Sequence, residues 1–175
     1  MRQFIARLFQ PKFAYLLLLF CIAGWLFAAI MPAYWAAQGE IVWAWFIRRS
    51  FSPICHQLPS RCFTLWGEPL ALCTRCIGIY GGMLIGLIIY PLVRAYRCVD
   101  LPPGSFLLFA LLPMGLDYLL NFLGLFANTP ISRSLTGALA GIALAFYLVP
   151  AIVCLIVDLA DVLGRGADTI IASRK

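Results

Sequence analysis

Four long runs of apolar residues divide the chain, and shorter segments that contain charged and turn-forming residues separate them. The runs cover about residues 13–31, 76–93, 106–126 and 135–157. A helix needs about 20 apolar residues to cross the hydrocarbon core of a bilayer. The first run is too long for the apolar core of a signal peptide, so we interpret it as a retained span. The pattern predicts an all-α, polytopic integral membrane protein with four transmembrane helices.

A shorter apolar segment, from Gly39 to Arg49, follows the first predicted span and cannot cross the membrane. It contains Trp43 and Trp45. Tryptophan is enriched at the membrane–water boundary, because its ring is largely apolar while its N–H group can donate a hydrogen bond. We expect a short interfacial helix here, and a short re-entrant helix is the alternative. Residues 1–12 form a basic tail in front of the first span.

Small residues recur at intervals of four in the second and fourth predicted spans. They are Gly78, Gly82, Gly86, Gly137, Gly141 and Ala145. Residues four apart lie on one face of a helix, and small side chains allow two helix backbones to approach closely. We therefore expect these two spans to pack against each other. This contact would bring Arg133 and Thr136 towards the beginning of the second span.

The composition agrees with a membrane protein, because 63% of the residues are hydrophobic and only 11% are charged, whereas soluble proteins carry about 25% charged residues. No long polar linker interrupts the chain, so we expect a single membrane domain over residues 1–175. The formal net charge is +6, but no basic run alternates with stacking aromatic residues. We therefore expect contact with the lipid bilayer and its anionic headgroups, and no nucleic acid. A homo-oligomer or a larger membrane complex remains open.

The positive charges are distributed unequally between the two sides of the predicted bundle. Eight lysines and arginines fall on the side of the termini, and five fall on the side of the loop before the second span. Cytoplasmic segments of membrane proteins carry the excess of positive charge. We therefore predict that both termini are cytoplasmic and that the protein is a multi-pass protein of a bacterial cytoplasmic (inner) membrane. The loop of residues 50–76 would then face the oxidising outer side.

Residues 50–76 form a loop that concentrates the reactive side chains. Cys55 and His56 are adjacent, and Cys73 and Cys76 form a Cys-x-x-Cys pair at the start of the second span. Three thiolates and one imidazole are a common tetrahedral ligand set for zinc. A helix start beside a basic residue also favours the thiolate form of cysteine. These four residues predict a Cys3His metal site for zinc, while copper or an iron–sulfur cluster would accept similar ligands.

The same thiols are compatible with two other functions. With Cys62 the loop holds four thiols, which can form two disulfides in three alternative pairings. A Cys73–Cys76 pair at a helix start can also exchange disulfides, as in a membrane thiol–disulfide oxidoreductase that passes electrons to a quinone. The third hypothesis is a non-catalytic interaction subunit whose loop is a disulfide-stapled docking surface. Whether the protein is an enzyme stays open at this point.

Polar side chains are predicted at the same end of the bundle as the cysteine loop. Asp117 and Asn121 lie one turn apart in the third predicted span, where a charge at mid-bilayer costs about 2.5–3.5 kcal/mol. With Arg61, Arg75 and Arg133 they would line a polar pocket. Candidate catalytic groups are Asp117, Arg75 and Arg133, and candidate cofactor-binding groups are Arg61, Arg75 and Asn121. The alternative is a polar contact that only joins helices.

Several motifs occur together in the middle of the chain. They are Cys55-His56-Gln57-x-Pro59-x-Arg61, Cys73-x-Arg75-Cys76-x-Gly78-Ile79-Tyr80, Asp117 and Arg133-x-x-Thr136-Gly137-x-x-x-Gly141. In this combination, over roughly residues 50–145, the sequence resembles a family of predicted prokaryotic membrane proteins called domain of unknown function 2085. Cys62 stands where the family usually has serine, and Tyr118 stands where glycine is common. The first difference implies that Cys62 is not a required ligand, which favours the three-Cys, one-His site; the family name implies no activity.

Overall fold

The structure is a computed structural model that describes residues 11–95 and 100–172. Within these ranges the helices, in chain order, are α1 (Pro11–Ala37), α2 (Ile41–Ser50), α3 (Thr74–Val93), α4 (Gly104–Phe122) and α5 (Pro130–Ala172). Helices α1, α3 and α4 and the first part of α5, Pro130–Ile156, are long and apolar enough to cross a membrane. The predicted all-α fold with four transmembrane helices is therefore confirmed. The predicted basic tail lies outside the described residues except for its last two positions.

Helix α4 ends at Phe122 rather than at about residue 126, and the reason is local. Gly124 adopts a left-handed φ of 70°, a conformation that is inexpensive for glycine. Its N–H group donates to the carbonyl oxygen of Asn121, and the N–H group of Leu125 donates to that of Leu120. These two bonds form a Schellman motif, which satisfies carbonyl groups at the helix end and turns the chain away.

Helix α5 begins at Pro130, before the predicted start at about residue 135. Proline suits the first helical position because its missing N–H group would have no partner there. The backbone N–H of Thr129 donates to Oγ of Ser132, and the N–H of Ser132 donates to Oγ1 of Thr129, at 3.1 Å each. This reciprocal cap satisfies donors that a helix start leaves free. The additional turn carries Ser132 and Arg133 at the beginning of α5.

Helix α2 forms where the sequence predicts a short helix. Trp43 and Trp45 expose 59% and 64% of their surfaces. Arg48 and Arg49 occupy its last turn, where positive charge is favourable next to the negative end of the helix dipole. The position of α2 at the membrane boundary remains a prediction.

A two-stranded antiparallel hairpin lies in the segment that the sequence predicts as a loop. Its strands are β1 (Cys62–Leu65) and β2 (Glu68–Cys73). Trp66 and Gly67 connect them with φ values of 54° and 83°, as a type I′ turn requires. The hairpin places Cys62 opposite Cys73 and brings Cys73 directly to the first turn of α3.

Helices α3 and α5 pack with their backbones in close contact. A Cβ atom on Gly82 would overlap the backbone of Ala138, and one on Gly141 would overlap the backbone of α3. Only glycine fits at these positions, so the predicted contact between the second and fourth spans is confirmed. The same contact joins the beginnings of the two helices, where Oγ of Ser134 donates to the carbonyl oxygen of Thr74 at 3.1 Å.

The segment after α2 packs against α1 and β2 and forms a buried cluster with them. Ala29 of α1, Phe51, Cys55 and Leu72 are buried together. The ring of Trp25 lies 4.6 Å from that of Phe51, measured between centroids. Removing these apolar surfaces from water stabilises the arrangement. The cluster holds the segment that carries Cys55 against the bundle.

Candidate metal centre

Three thiols from three different segments of the chain converge at one end of the bundle. Cys55 follows α2, Cys73 ends β2 and Cys76 lies in the first turn of α3. Their Sγ atoms all lie within 4.8 Å of one another. Three sulfurs bound to one zinc ion at ~2.3 Å would lie ~3.8 Å apart in a tetrahedral shell. The arrangement could therefore hold a metal ion with small side-chain adjustments.

The three cysteines are partly or fully withdrawn from the surface. Cys55 is buried, and Cys73 and Cys76 are half-buried. The backbone N–H of Cys73 donates to Sγ of Cys55 at 3.2 Å. This hydrogen bond joins the segment that carries Cys55 to the end of β2.

His56 does not belong to this group of sulfurs. Its side chain is exposed, whereas that of the adjacent Cys55 is buried. Adjacent side chains leave the backbone in different directions, and the apolar cluster fixes that of Cys55. Of the four predicted Cys3His ligands, the structure brings together the three sulfurs, while the imidazole lines the cavity beside them.

Gln57 fixes the bend that follows Cys55 and His56. Its φ is 52°, in the left-handed region that non-glycine residues rarely adopt. Its Nε2 donates to the carbonyl oxygens of Arg48 (2.7 Å) and Ala71 (2.8 Å). In return, Nη1 of Arg48 donates to the carbonyl oxygen of Pro69 at 3.2 Å. These bonds tie α2, the bend and β2 together and so position the thiol-bearing segments.

The thiols of Cys73 and Cys62 differ strongly in acidity. A hydrogen bond from the thiol of Cys76 lowers the pKa of Cys73 to about 5, against the opposing effect of burial, and Cys55 and nearby backbone N–H groups contribute further. Burial raises the pKa of Cys62 to about 11. Cys73 is thus the more acidic of the two thiols and Cys62 the less acidic one.

A polar network lies beside the thiols and joins α3, α4 and α5. Nη2 of Arg75 forms a salt bridge with Oδ2 of Asp117 at 2.6 Å. Asp117 also accepts hydrogen bonds from Nδ2 of Asn128 (3.1 Å) and Oγ of Ser132 (2.9 Å). Nε of Arg133 donates to Oδ1 of Asn128 at 2.7 Å. The predicted candidates Arg75, Asp117 and Arg133 therefore belong to one connected network.

A cavity with a volume of about 470 Å³ opens beside the cysteines. Eight of the predicted site residues line it: Cys55, His56, Cys73, Cys76, Arg61, Arg75, Asn121 and Arg133. Asp117 is not part of the wall, because its carboxylate is engaged by Arg75 and its other donors. The cavity therefore combines thiols with arginine side chains, as expected from the sequence, and Asp117 supports one of these arginines.

Three contributors to this region were missed by sequence reasoning. Gln57 shapes the loop, Ser132 donates to Asp117, and the ring of Tyr118 lines the cavity with its centroid 5.8 Å from Cζ of Arg75. Gln57 follows directly after the Cys-His pair, and Ser132 stands three residues after Thr129, the spacing of a helix cap. Both signals were present in the sequence, whereas the approach of Tyr118 to Arg75 depends on tertiary packing.

Comparisons with known proteins agree with this description. The family described as predicted membrane protein (DUF2085) matches residues 55–147, which contain all the cavity-lining thiols and arginines. An uncharacterised protein from Methanocaldococcus jannaschii is 36% identical over 141 residues, which cover 78% of this chain and 90% of the relative. An uncharacterised protein from Methanothermobacter thermautotrophicus is 34% identical over 97 residues, which cover 54% of this chain and 84% of the relative. No solved structure matches the chain. The chain therefore belongs to the DUF2085 family of predicted membrane proteins, as its motifs indicated.

Proposed function

We propose that this multi-pass membrane protein binds one thiophilic metal ion, zinc in the first place, through Cys55, Cys73 and Cys76. The observation that supports the proposal is the convergence of three sulfurs within 4.8 Å from three separate segments of the chain. A disulfide would use two of these thiols and leave the third without a role. Copper(I) would accept the same sulfur ligands, so the identity of the metal is part of the test.

The fourth ligand decides what such a site can do. His56 lines the same cavity and would complete the Cys3His shell after a rotation of its exposed side chain. A closed shell of this kind is structural, whereas an open fourth position supplies Lewis-acid chemistry to a molecule in the cavity. The Arg75–Asp117 pair and Arg133 would then orient that molecule at the metal-binding end of the cavity.

The metal proposal is tested by elemental analysis of the purified protein together with free-thiol counting. We expect about one zinc ion per chain, and a large loss of zinc in Cys55→Ser, Cys73→Ser and Cys76→Ser. Cys62→Ser is the matched control, because this thiol lies in the same hairpin but outside the sulfur group, and it should retain the metal. His56→Ala distinguishes the two shells, since it weakens zinc binding only if the imidazole is a ligand.

Thiol–disulfide exchange is the second candidate function, and the pKa of about 5 at Cys73 favours it. In such a reaction Cys73 and Cys76 would join in a disulfide, and two electrons would pass to a quinone-class acceptor, which would take one proton from the Cys76 thiol and one from the solvent to form the quinol. Protein without metal, whose Cys73–Cys76 bond forms and breaks with the quinone redox state, would support this candidate and contradict the metal site. Fixed disulfides that do not cycle would instead support a docking surface.

We also propose that the chain forms one membrane domain in a cytoplasmic membrane with both termini on the cytoplasmic side. The excess of positive charge on the side of the termini supports this orientation. The cysteine-bearing end would then face outward. A metal site on that side would protect its thiols from random oxidation in an oxidising compartment.

A further inference from the structure

The cavity beside the thiols has a strongly cationic wall. Arg61 precedes β1, Arg75 lies in α3 and Arg133 lies in α5, and all three line the cavity. Arg75 is paired with Asp117, but neither Arg61 nor Arg133 has a carboxylate partner among the residues that the structure describes. Arg61 and Arg75 repel the guanidinium group of Arg133, whereas Asp117 and Cys73 attract it. Arginines that repel one another in a shared cavity are stabilised by an anion between them.

Two buried donors at this wall have no partner within the described part of the protein. Thr74 is completely buried and lines the cavity, and its Oγ1 atom has no hydrogen-bond partner there. The same holds for Nε of Arg75. A buried polar group without a partner costs about 1–3 kcal/mol. An acceptor oxygen in the cavity would remove this cost.

The backbone adds positive potential at the same place. Helix α3 begins at Thr74, and the beginning of α5 contacts it through the hydrogen bond from Ser134 to Thr74. The N-terminal end of a helix carries a partial positive charge and free N–H groups, and it attracts anions. Two helix beginnings therefore reinforce the field of the arginines.

We propose that this cavity binds a phosphate-class oxyanion, with Arg61, Arg75 and Arg133 as its cationic wall and Thr74 as a further donor. The donors come from three elements, which suits the tetrahedral distribution of phosphate oxygens. A planar carboxylate is typically satisfied by one arginine in a bidentate pair. The arrangement of donors therefore favours phosphate over carboxylate.

The net charge of the site also limits the charge that its ligand can carry. Asp117 neutralises one of the three arginine charges, which leaves a charge of +2. Three thiolates (−3) and one divalent ion (+2) contribute −1 in the metal-loaded protein, so the site carries +1. This count rests on the proposed function, whereas the arrangement of the arginines does not. A phosphodiester, a singly protonated phosphomonoester or dihydrogen phosphate, each with a charge of −1, matches the remaining charge.

Such a group can come from a phospholipid headgroup or from a soluble phosphate compound, and the two sources are separable by experiment. Isothermal titration calorimetry would be performed on the full-length protein in a neutral detergent, with inorganic phosphate in one arm and a short-chain phosphatidylglycerol in the other. Binding in the phosphate arm identifies a soluble ligand, and binding confined to the lipid arm identifies a headgroup. Either result supports the proposal, provided that substitutions of the cavity arginines weaken the binding.

We expect Arg61→Gln and Arg133→Gln each to weaken binding by about tenfold or more, because each removes charge-assisted hydrogen bonds. Arg49→Gln is the matched control, since Arg49 lies outside the cavity and donates to Ser52, and it should bind like the wild type. If Arg133→Gln does not fold, Arg61→Gln remains decisive, because Arg61 is exposed.

Three results would overturn the proposal: no binding in either arm, equally tight binding of acetate, or an equal loss in Arg49→Gln. Zinc content is measured in the same samples. Wild-type protein that binds phosphate without metal would contradict the metal site alone, and zinc-loaded protein that binds no phosphate would contradict the anion site alone.

Discussion

The carboxylate of Asp117 is the shared acceptor of side chains from α3, the α4–α5 connection and α5. A buried charge without partners costs several kcal/mol, and charged and neutral donors offset much of that cost. Asp117 was recognisable in the sequence as a polar residue within an apolar span. The sequence marks its donor Ser132 only as part of a helix cap and its donor Asn128 only as a polar residue at the same end of the bundle. Their hydrogen bonds to Asp117 depend on the left-handed turn at Gly124 that ends α4.

The thiols of Cys73 and Cys62 are predicted to differ in the pH dependence of their alkylation, since only the thiolate reacts efficiently. The pKa of Cys73 is lowered to about 5, so its alkylation should remain fast at neutral pH and slow only as the pH falls through about 5. The pKa of Cys62 is raised to about 11, so its alkylation should be slow at neutral pH and accelerate towards pH 11. Iodoacetamide labelling of metal-stripped protein, quantified for each peptide by mass spectrometry, measures both profiles.

Two variants test whether the thiol of Cys76 causes the low pKa of Cys73. Cys76→Ala removes the thiol that donates to Cys73, so the profile of Cys73 should move to higher pH. Cys21→Ala, in the exposed part of α1, should leave it unchanged. Equal pH profiles for Cys73 and Cys62 would contradict the prediction.

At the scale of secondary-structure elements, the spans were predictable and the hairpin was not. Long apolar runs have few alternatives to a membrane helix, so the four spans were recognised with errors only at their ends. The hairpin strands are short, and Pro69 within β2 argues against a strand in sequence reasoning. Gly67 was the available signal, because a type I′ turn favours glycine at its second central position, whereas Trp66 is not a residue that this turn favours at its first.

The glycine contact between α3 and α5 is expected to respond to one methyl group. Gly82→Ala places a Cβ atom against the backbone of Ala138, where neither helix can yield locally, so we expect a loss of about 1–3 kcal/mol in stability. Gly81→Ala is the matched control, because nothing lies within 4 Å of a Cβ atom there. It should be neutral or stabilising by about 0.5–1 kcal/mol through helix propensity.

Thermal unfolding of both variants in the same detergent measures the difference. The melting temperature of Gly82→Ala should fall clearly below that of Gly81→Ala. Similar melting temperatures for the two variants would show that the close contact does not stabilise the bundle.

At the scale of the whole molecule, the site arises where the ends of several elements meet. The sequence predicted that the cysteine loop, Asn121 and Arg133 share one end of the bundle, because helix direction alternates with each span and the glycine spacing identifies which spans touch. It did not predict the separation of His56 from the thiols. Three thiols and one imidazole in a single loop predicted joint ligation, although adjacent residues can share a metal ion only in a suitably bent loop. The burial of Cys55 in the cluster with Phe51 leaves its neighbour exposed.

The proposed orientation places the two ends of α3 on opposite sides of the membrane. A membrane-impermeant maleimide should therefore label Ser60→Cys, in the exposed turn before β1, in intact cells. Leu101→Cys, in the exposed connection between α3 and α4, should be labelled only after the cells are permeabilised. Peptide mass spectrometry separates these positions from the native cysteines, and the reverse labelling pattern would contradict the orientation.

The bend at Gln57 has a consequence for how the protein would handle a metal ion. Its hydrogen bonds to Arg48 and Ala71 are made within the polypeptide, so the sulfur-bearing segments are held in register without help from a ligand. Many small zinc domains fold only when the ion arrives. If the proposed metal site exists, we expect the ion to leave and return without a refolding step, and occupancy to follow the free metal concentration around the site. Such reversible loading is what a sensor or a delivery protein needs, and a purely architectural site does not.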